Sequence, residues 1–417
     1  MLNTKLYKTT GKAHSLKILW ITGRLPYPTF SGDAVYSRGL LNAAANLTSE
    51  LRVVGHLRPG HNLPPRPFTA HESWIPCSAS TRFAISSLFS LYPKDVYLLA
   101  TQEMRSIIRE GLKRDWDWIV IDHANSSGAI DLISRNRRGA NICYVAHNAE
   151  GLIRPSIAST VKPAAKRSVM AYDAVKYAVQ ERRILHSADV VIAITNEDSR
   201  YFSRYANNVH TIRPCYIGRK SNERYITEDT HRSILLLGSF EWVAKQENVI
   251  NFLSSVGARL RKHEIGIKVA GNMPDAFKAQ IIVKFPYVDT RAHVADIYAL
   301  MRDARIGIVP EVLGGGFKLK ILDYAFARLP ICGLKDALSG LDEYELGNML
   351  VAESFEEMGD MIVKHIDDFY LLNKMQMKSY EVFEETFGLS TTMNRLQAAL
   401  RSRQPRHEGM LELASCE

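Results

Sequence analysis

Short apolar runs rich in β-branched residues alternate along this chain with longer stretches in which apolar positions recur every three or four residues. Residues 17–22, 51–55, 118–121, 142–145 and 190–194 read as strands, and a second series follows at 233–237, 266–270, 306–309, 331–332 and 349–352. Segments of helical period lie between most of them. Strands that are apolar on both faces and separated by helices predict parallel sheets covered on both sides. Ten such strands in one sheet are less favourable than two doubly wound, Rossmann-like domains of about 200 residues each. The polar segment 217–232, which contains Gly218-Arg-Lys-Ser-Asn-Glu-Arg224, is the natural boundary. Two such domains predict an interdomain cleft between the carboxyl ends of two facing sheets, with ligands held by the loops that follow the strands.

Composition narrows the class without choosing a function. The 417 residues are 46% hydrophobic and 23% charged, as expected of a soluble globular protein. No apolar run is long enough for a bilayer, and residues 1–15 are polar and basic, unlike a secretory signal. Five cysteines without CxxC pairing suggest reduced core thiols, a cytoplasmic setting and no structural zinc site. The formal charge of +9 favours an anionic partner. No RRM, KH or helix-turn-helix pattern accompanies it, so nucleic acid is not expected.

The loops carry the chemistry. Pro310-Glu-Val-Leu-Gly-Gly-Gly-Phe-Lys-Leu-Lys-Ile-Leu-Asp323 runs from a strand through three glycines into a helical segment bearing Lys318 and Lys320. Glycines let backbone approach an anion closely, and unpaired N–H groups at a helix start favour negative charge. The same spacing also serves a plain turn, and the motif alone leaves both readings open. Ser31-Gly32-Asp33 after the first strand either caps a helix or presents N–H groups to a phosphate. It is not a GxGxxG fingerprint, which disfavours a dinucleotide site. His123 and His147 each follow a strand, where a ring can donate to an oxyanion or a sugar hydroxyl or simply be structural. Gly238-Ser-Phe-Glu-Trp242 repeats the strand-to-glycine transition in the second half.

Taken in order, these pieces resemble the GT-B glycosyltransferases of the family 4 type (glycosyl transferases group 1), over residues 17–396. The resemblance rests on Leu25-Pro-Tyr-Pro28 with Ser31-Gly32, His147-Asn148, Ser187-Ala-Asp-Val-Val-Ile-Ala-Ile-Thr195, Gly238-Ser-Phe-Glu-Trp242 and Gly316-Phe-Lys-Leu-Lys-Ile-Leu-Asp-Tyr-Ala325. It implies an enzyme of the hexosyltransferase type that moves a sugar from a nucleotide diphosphate-sugar to a glycan or lipid-linked acceptor. Retention, independence from metals and cofactors, and a place in surface polysaccharide or glycoconjugate synthesis are part of that expectation. The implied layout is an acceptor domain at 15–216, a donor domain at 217–385, a helix at 386–402 returning to the first domain, and a flexible tail at 403–417.

By position, the resemblance assigns Gly238 and Ser239 to the donor diphosphate, Lys318 and Lys320 to its charge, and Asp323 to the ribose hydroxyls. Gly316 and Phe317 belong to the same donor loop, Gly32 approaches the phosphate from the first domain, and His147 contacts the transferring sugar. Three positions depart from the family. Gly315 stands where a glutamate is common, eight residues before Asp323; Asp33 follows Gly32 where a second glycine is frequent; and Lys245 is displaced from the usual basic position after the second domain's first strand. A non-catalytic GT-B relative that binds a nucleotide-sugar or glycan as a scaffold is the alternative, with a nucleotide-sugar epimerase as a third reading.

Residues 154–183 carry Arg154, Lys162, Lys166, Arg167, Lys176, Arg182 and Arg183 among apolar residues, either a solvated helix face or a dock for anionic headgroups. The expected location is cytoplasmic, free or peripheral on the inner face of the membrane. The apolar stretch 83–92 is expected as a core helix, with lipid contact as its other use.

Overall fold

The computed structural model describes residues 16–402 apart from 30, 59, 64–68, 79 and 313–316. Residues 1–15, the expected tail at 403–417, and Gly315 and Gly316 therefore lie outside the described residues. The chain divides into two compact units, one comprising residues up to Cys215 together with those from Leu389, the other running Tyr216–Gly388.

The first unit holds a seven-stranded parallel sheet in the order β3-β2-β1-β4-β5-β6-β7. Its strands are β1 Leu16–Arg24, β2 Thr48–His56, β3 Glu72–Cys77, β4 Trp118–Asp122, β5 Asn141–Ala146, β6 Val190–Ala193 and β7 Val209–Thr211. Successive side chains of a strand point to opposite faces. Ile18 and Trp20 of β1, Trp118 and Val120 of β4, and Cys143 and Val145 of β5 accordingly join one apolar layer. Their neighbours Leu19, Ile21, Ile119, Ile121, Ile142 and Tyr144 join the layer on the other side. This explains why the strands read as unbroken apolar runs. The helix Gly32–Ala45 covers one face, and the helix Leu389–Arg401, distant in sequence, packs beside it through Leu396, Ala399 and Leu400.

The second unit is a six-stranded parallel sheet in the order β10-β9-β8-β11-β12-β13. Its strands are β8 Ser233–Ser239, β9 Gly266–Asn272, β10 Val288–Ala292, β11 Ile306–Val309, β12 Ile331–Leu334 and β13 Leu350–Ala352. All of its pairs are parallel.

Three strands, β3, β7 and β10, were not legible in the sequence, and each is a sheet edge. The stretch 83–92 departs from its expected role. It is a 3₁₀ turn, Ala84–Phe89, in which Ser87 alone is buried, so it is not a core helix. Among the described residues no helix is long and apolar enough to cross a membrane.

Candidate functional site

In a doubly wound sheet the chain leaves adjacent central strands in opposite directions, and the carboxyl ends there are left uncovered. The first unit has this switch between β1 and β4, where Thr22 pairs with Asp122. A cavity of about 210 Å³ opens at that place. It is lined by Thr22 and Arg24 from β1, Asp33, Ala34 and Ser37 from the following helix, and His123, Asn125 and His147 from the loops after β4 and β5.

Its floor is a network centred on Asp122, which is fully buried. One carboxylate oxygen accepts from Trp20 Nε1 at 2.9 Å and the other from His147 Nε2 at 2.7 Å. An ionised carboxylate only accepts, so the Nε2–H of His147 donates to it. Ser37 Oγ lies 3.4 Å from the same Nε2, and the rings of Tyr36 and His123 pack at 5.1 and 4.7 Å. Nδ1 is buried with no hydrogen-bond partner among the described residues. His147 is thus a held ring below the cavity, 7% exposed, and not one projecting from a loop.

His123 has a φ of 72°, a left-handed value that a non-glycine residue adopts at a cost. Its Nδ1 accepts from the Asn125 N–H at 3.1 Å, which leaves Nε2 as the donor, 3.8 Å from Glu150. Burial, helped by neighbouring His147, pushes its pKa down to about 4, so the ring is neutral at neutral pH. Gly32 begins the helix whose Asp33, Ala34 and Ser37 line the cavity. Burial works against ionising Asp33, but the Ser31 hydrogen bond, His147 and Arg58 outweigh it and hold the carboxyl below its usual range.

The second unit repeats the switch between β8 and β11. A smaller cavity there, about 30 Å³, is lined by Gly238, Phe240, Lys245, Asn248, Glu311 and Lys320 among others. The end of β8 is fixed from behind by the buried Tyr324, whose hydroxyl accepts from the Leu237 N–H at 2.8 Å and donates to the Leu235 carbonyl at 3.1 Å. Gly271 is required by its neighbour: a Cβ built there would lie 2.0 Å from the Gly238 carbonyl oxygen, and its φ is +134°. The two strand ends are therefore pressed together as only glycine at 271 allows.

Lys320 starts the short helix Lys320–Phe326 and is ion-paired with Glu311. The other Glu311 oxygen is buried without a hydrogen-bond partner among the described residues. Burial lowers the pKa of Lys318, with Lys320 and Lys245 adding to the shift and Glu311 opposing it. Lys245 is lowered in the same way, by burial and then by Lys320. Lys320 thus pairs with Glu311, while Lys318 and Lys245 feel the charges of both. Lys245, displaced in sequence, is brought to the cavity by the helix Val243–Phe252. Trp242 at the head of that helix is 74% exposed and is not a packing residue.

The remaining expected residues are more scattered. Ser239 ends β8 and pairs with Asn272 without lining the cavity. Phe317 is packed on Phe387 at 5.4 Å, a core contact. Asp323, one turn beyond Lys320, is hydrogen-bonded with Tyr216, and burial pushes its pKa up to about 6. It does not line the small cavity. Gly316 lies outside the described residues. Sequence reading gave no role to Asp122 or Glu311, although Asp122 ends β4 and Glu311 lies two residues beyond β11, both at switch points.

Residues 231–368, within the second unit, match the family described as glycosyl transferases group 1. No curated protein matches the chain in sequence. In structure the chain is similar to HepE of Anabaena solved with UDP-glucose, with a TM-score of 0.62 and 12% identity over 93% of this chain and 100% of that one. It is also similar to a UDP-forming α,α-trehalose-phosphate synthase from Burkholderia xenovorans, with a TM-score of 0.60 and 12% identity over 93% and 99% of the two chains. TarM of S. aureus, solved with UDP, gives 0.51 and 12% over 72% and 59%. At such identities the likeness shows the fold, the GT-B class of two Rossmann-like domains.

Proposed function

We propose that this chain, whose residues 231–368 match the glycosyl transferases group 1 family, moves a sugar from a nucleotide diphosphate-sugar to a glycan or lipid-linked acceptor. The observation that carries the reading is the cavity at the β8–β11 switch point, lined by Lys245 and by Lys320 with its partner Glu311, with Lys318 two residues before Lys320. When the glycosidic bond to a diphosphate breaks, the leaving group gains negative charge. Cations fixed before the reaction stabilise that charge more than they stabilise the intact donor, which is what accelerates the step. In this reading the lysines take the place of a metal ion, and the paired glycine-containing strand ends at Gly238 let the backbone come close to the phosphates.

Asp323 accepts hydrogen bonds from the ribose hydroxyls, and the exposed face of Trp242 is available to stack on the base. In the first unit, the family resemblance assigns His147, held by Asp122, to the transferring sugar and Gly32 to the phosphates. Transfer proceeds with retention, as the family resemblance implies, and the acceptor belongs to surface glycoconjugate synthesis. The test is release of nucleoside diphosphate from UDP-, GDP- and ADP-sugars, with and without a mixed glycan acceptor. The reading expects release from one base series, faster with acceptor; release from none, with the folded protein confirmed by circular dichroism, would return the chain to a scaffold role.

A further inference from the structure

The first unit exposes an apolar surface that a water-facing protein has reason to hide. Phe83, Ile85, Phe89 and Leu91 are 77%, 71%, 93% and 83% exposed within one nine-residue segment. Scattered exposed apolar residues are ordinary, whereas a contiguous group marks a contact surface. The segment is not a loose loop. Lys176 Nζ donates to the Ser87 carbonyl at 2.7 Å, and the Lys94 N–H to Asp173 at 2.7 Å, which fasten it against the helix Ala164–Ser187.

That helix continues the surface. Val169, Tyr172, Val175 and Val179 recur at three- and four-residue spacing and are all exposed, which puts an apolar stripe on one face of the helix. Tyr172 lies over the Lys176 ammonium at 4.3 Å, beside the fastened segment. Cations predominate here, and Asp173 of the helix is taken up by the Lys94 N–H. Residues 151–172 contain Arg154, Lys162, Lys166 and Arg167 and no Asp or Glu, and residues 73–94 contain Arg82 and Lys94 and again no acid. Lys162, Lys166 and Arg167 are exposed.

From this we infer that the segment at 83–91 and the adjoining helix form a docking face for a bilayer surface rich in anionic lipid. The large apolar side chains enter the interface and the cations meet phosphate headgroups. Basic residues around exposed aromatics, with acids excluded over two stretches, fit a negatively charged interface better than a second copy of the same positive surface. The inference draws nothing from the donor site, although a lipid-linked acceptor would give the docking a purpose.

The experiment is flotation of the full chain with vesicles of phosphatidylcholine alone and of phosphatidylcholine mixed with phosphatidylglycerol, at low and high salt. The intact chain is expected to float with the anionic vesicles and to be released by salt. The F83S/F89S variant, changed only at exposed positions, is expected to lose partitioning by about tenfold or more. The K166E/R167E variant is expected to lose it on anionic vesicles alone. No flotation of the intact chain, or equal flotation of all three, overturns the inference. So does a concentration-dependent dimer, seen by light scattering and abolished by F83S/F89S, without vesicle binding. Nucleoside diphosphate release from a soluble donor, measured on the same preparations, tells failure of docking from failure of the transferase reading.

Discussion

Replacing Lys320 by methionine separates what its ion pair does for the fold from what it does for the ligand. In the unliganded protein Lys320 is paired with Glu311, at side-chain exposures of 17% and 9%. Removing one member of a buried pair leaves a charge without its partner, a change worth about 3–5 kcal/mol when the pair is fully buried. Lys320 keeps some access to water, so about 2 kcal/mol is the expected loss of stability in K320M. The donor diphosphate loses a charge-assisted contact as well, about 1.5–3 kcal/mol or roughly 10- to 150-fold in Kd. The double variant K320M/E311Q removes the stranded charge together with its partner. It is expected to recover most of the stability and none of the nucleotide affinity. Urea denaturation gives the first quantity, and calorimetric titration with the nucleoside diphosphate gives the second. Recovery of affinity in the double variant would show that Lys320 acts by neutralising Glu311 and not by holding the ligand, which would refute the reasoning.

Further outcomes follow from the same geometry. Asp323, raised to about 6 by burial, must be ionised to accept from ribose, so nucleotide affinity should fall as pH drops below 6 and D323N should abolish that dependence. For stability the sign is opposite. The folded state resists ionising this group, a cost absent below the ordinary value of 3.8 and complete above 6, so D323N should be more stable than the parent at pH 8 by about 1–2 kcal/mol and no more stable at pH 3.5, as denaturation curves at the two pH values will read. His123 is lowered to about 4, so an unfolded chain takes up its proton near 6.5 while the folded chain refuses it; stability is lost as pH falls between these values, and H123Q should flatten that slope. H147A and D122N should each lower turnover, on the order of 10- to 100-fold, with the diphosphate Kd unchanged, because the first mislays the sugar contact and the second its tether; an unaltered kcat in both would leave the network purely structural.

The strands at the centre of each sheet were plain in the sequence because both their faces are buried. Leu19 and Trp20 point to opposite layers and both must be apolar. Edge strands lack that constraint. β3 includes Pro76 and lies at a sheet margin, where a missing N–H is tolerated; β7 is three residues of mixed character; and β10, Val288–Ala292, is largely polar. Lys318 and Lys320 stand out in the sequence because they directly follow a run of glycines. Lys245 and Glu311 were not given their places, since their nearness to Lys320 depends on how the helix after β8 meets the end of β11. Asp122 was likewise invisible as a tether: its two donors, Trp20 and His147, come from different strands of the register. The exposure of 83–91 could not be read at all, for an apolar run has the same letters whether it is buried or presented.

The claim on which the rest depends is that the second unit binds a nucleoside diphosphate at the β8–β11 switch point. Thermal melting of the intact chain in UDP, GDP or ADP tests it most directly. A ligand at 100 times its Kd adds about 2.7 kcal/mol, which for a unit of this size is a rise of roughly 5–10 °C. The account predicts such a rise with one of the three nucleotides and its loss in K320M. No shift with any of them at millimolar concentration, or an equal shift in K320M, would contradict it.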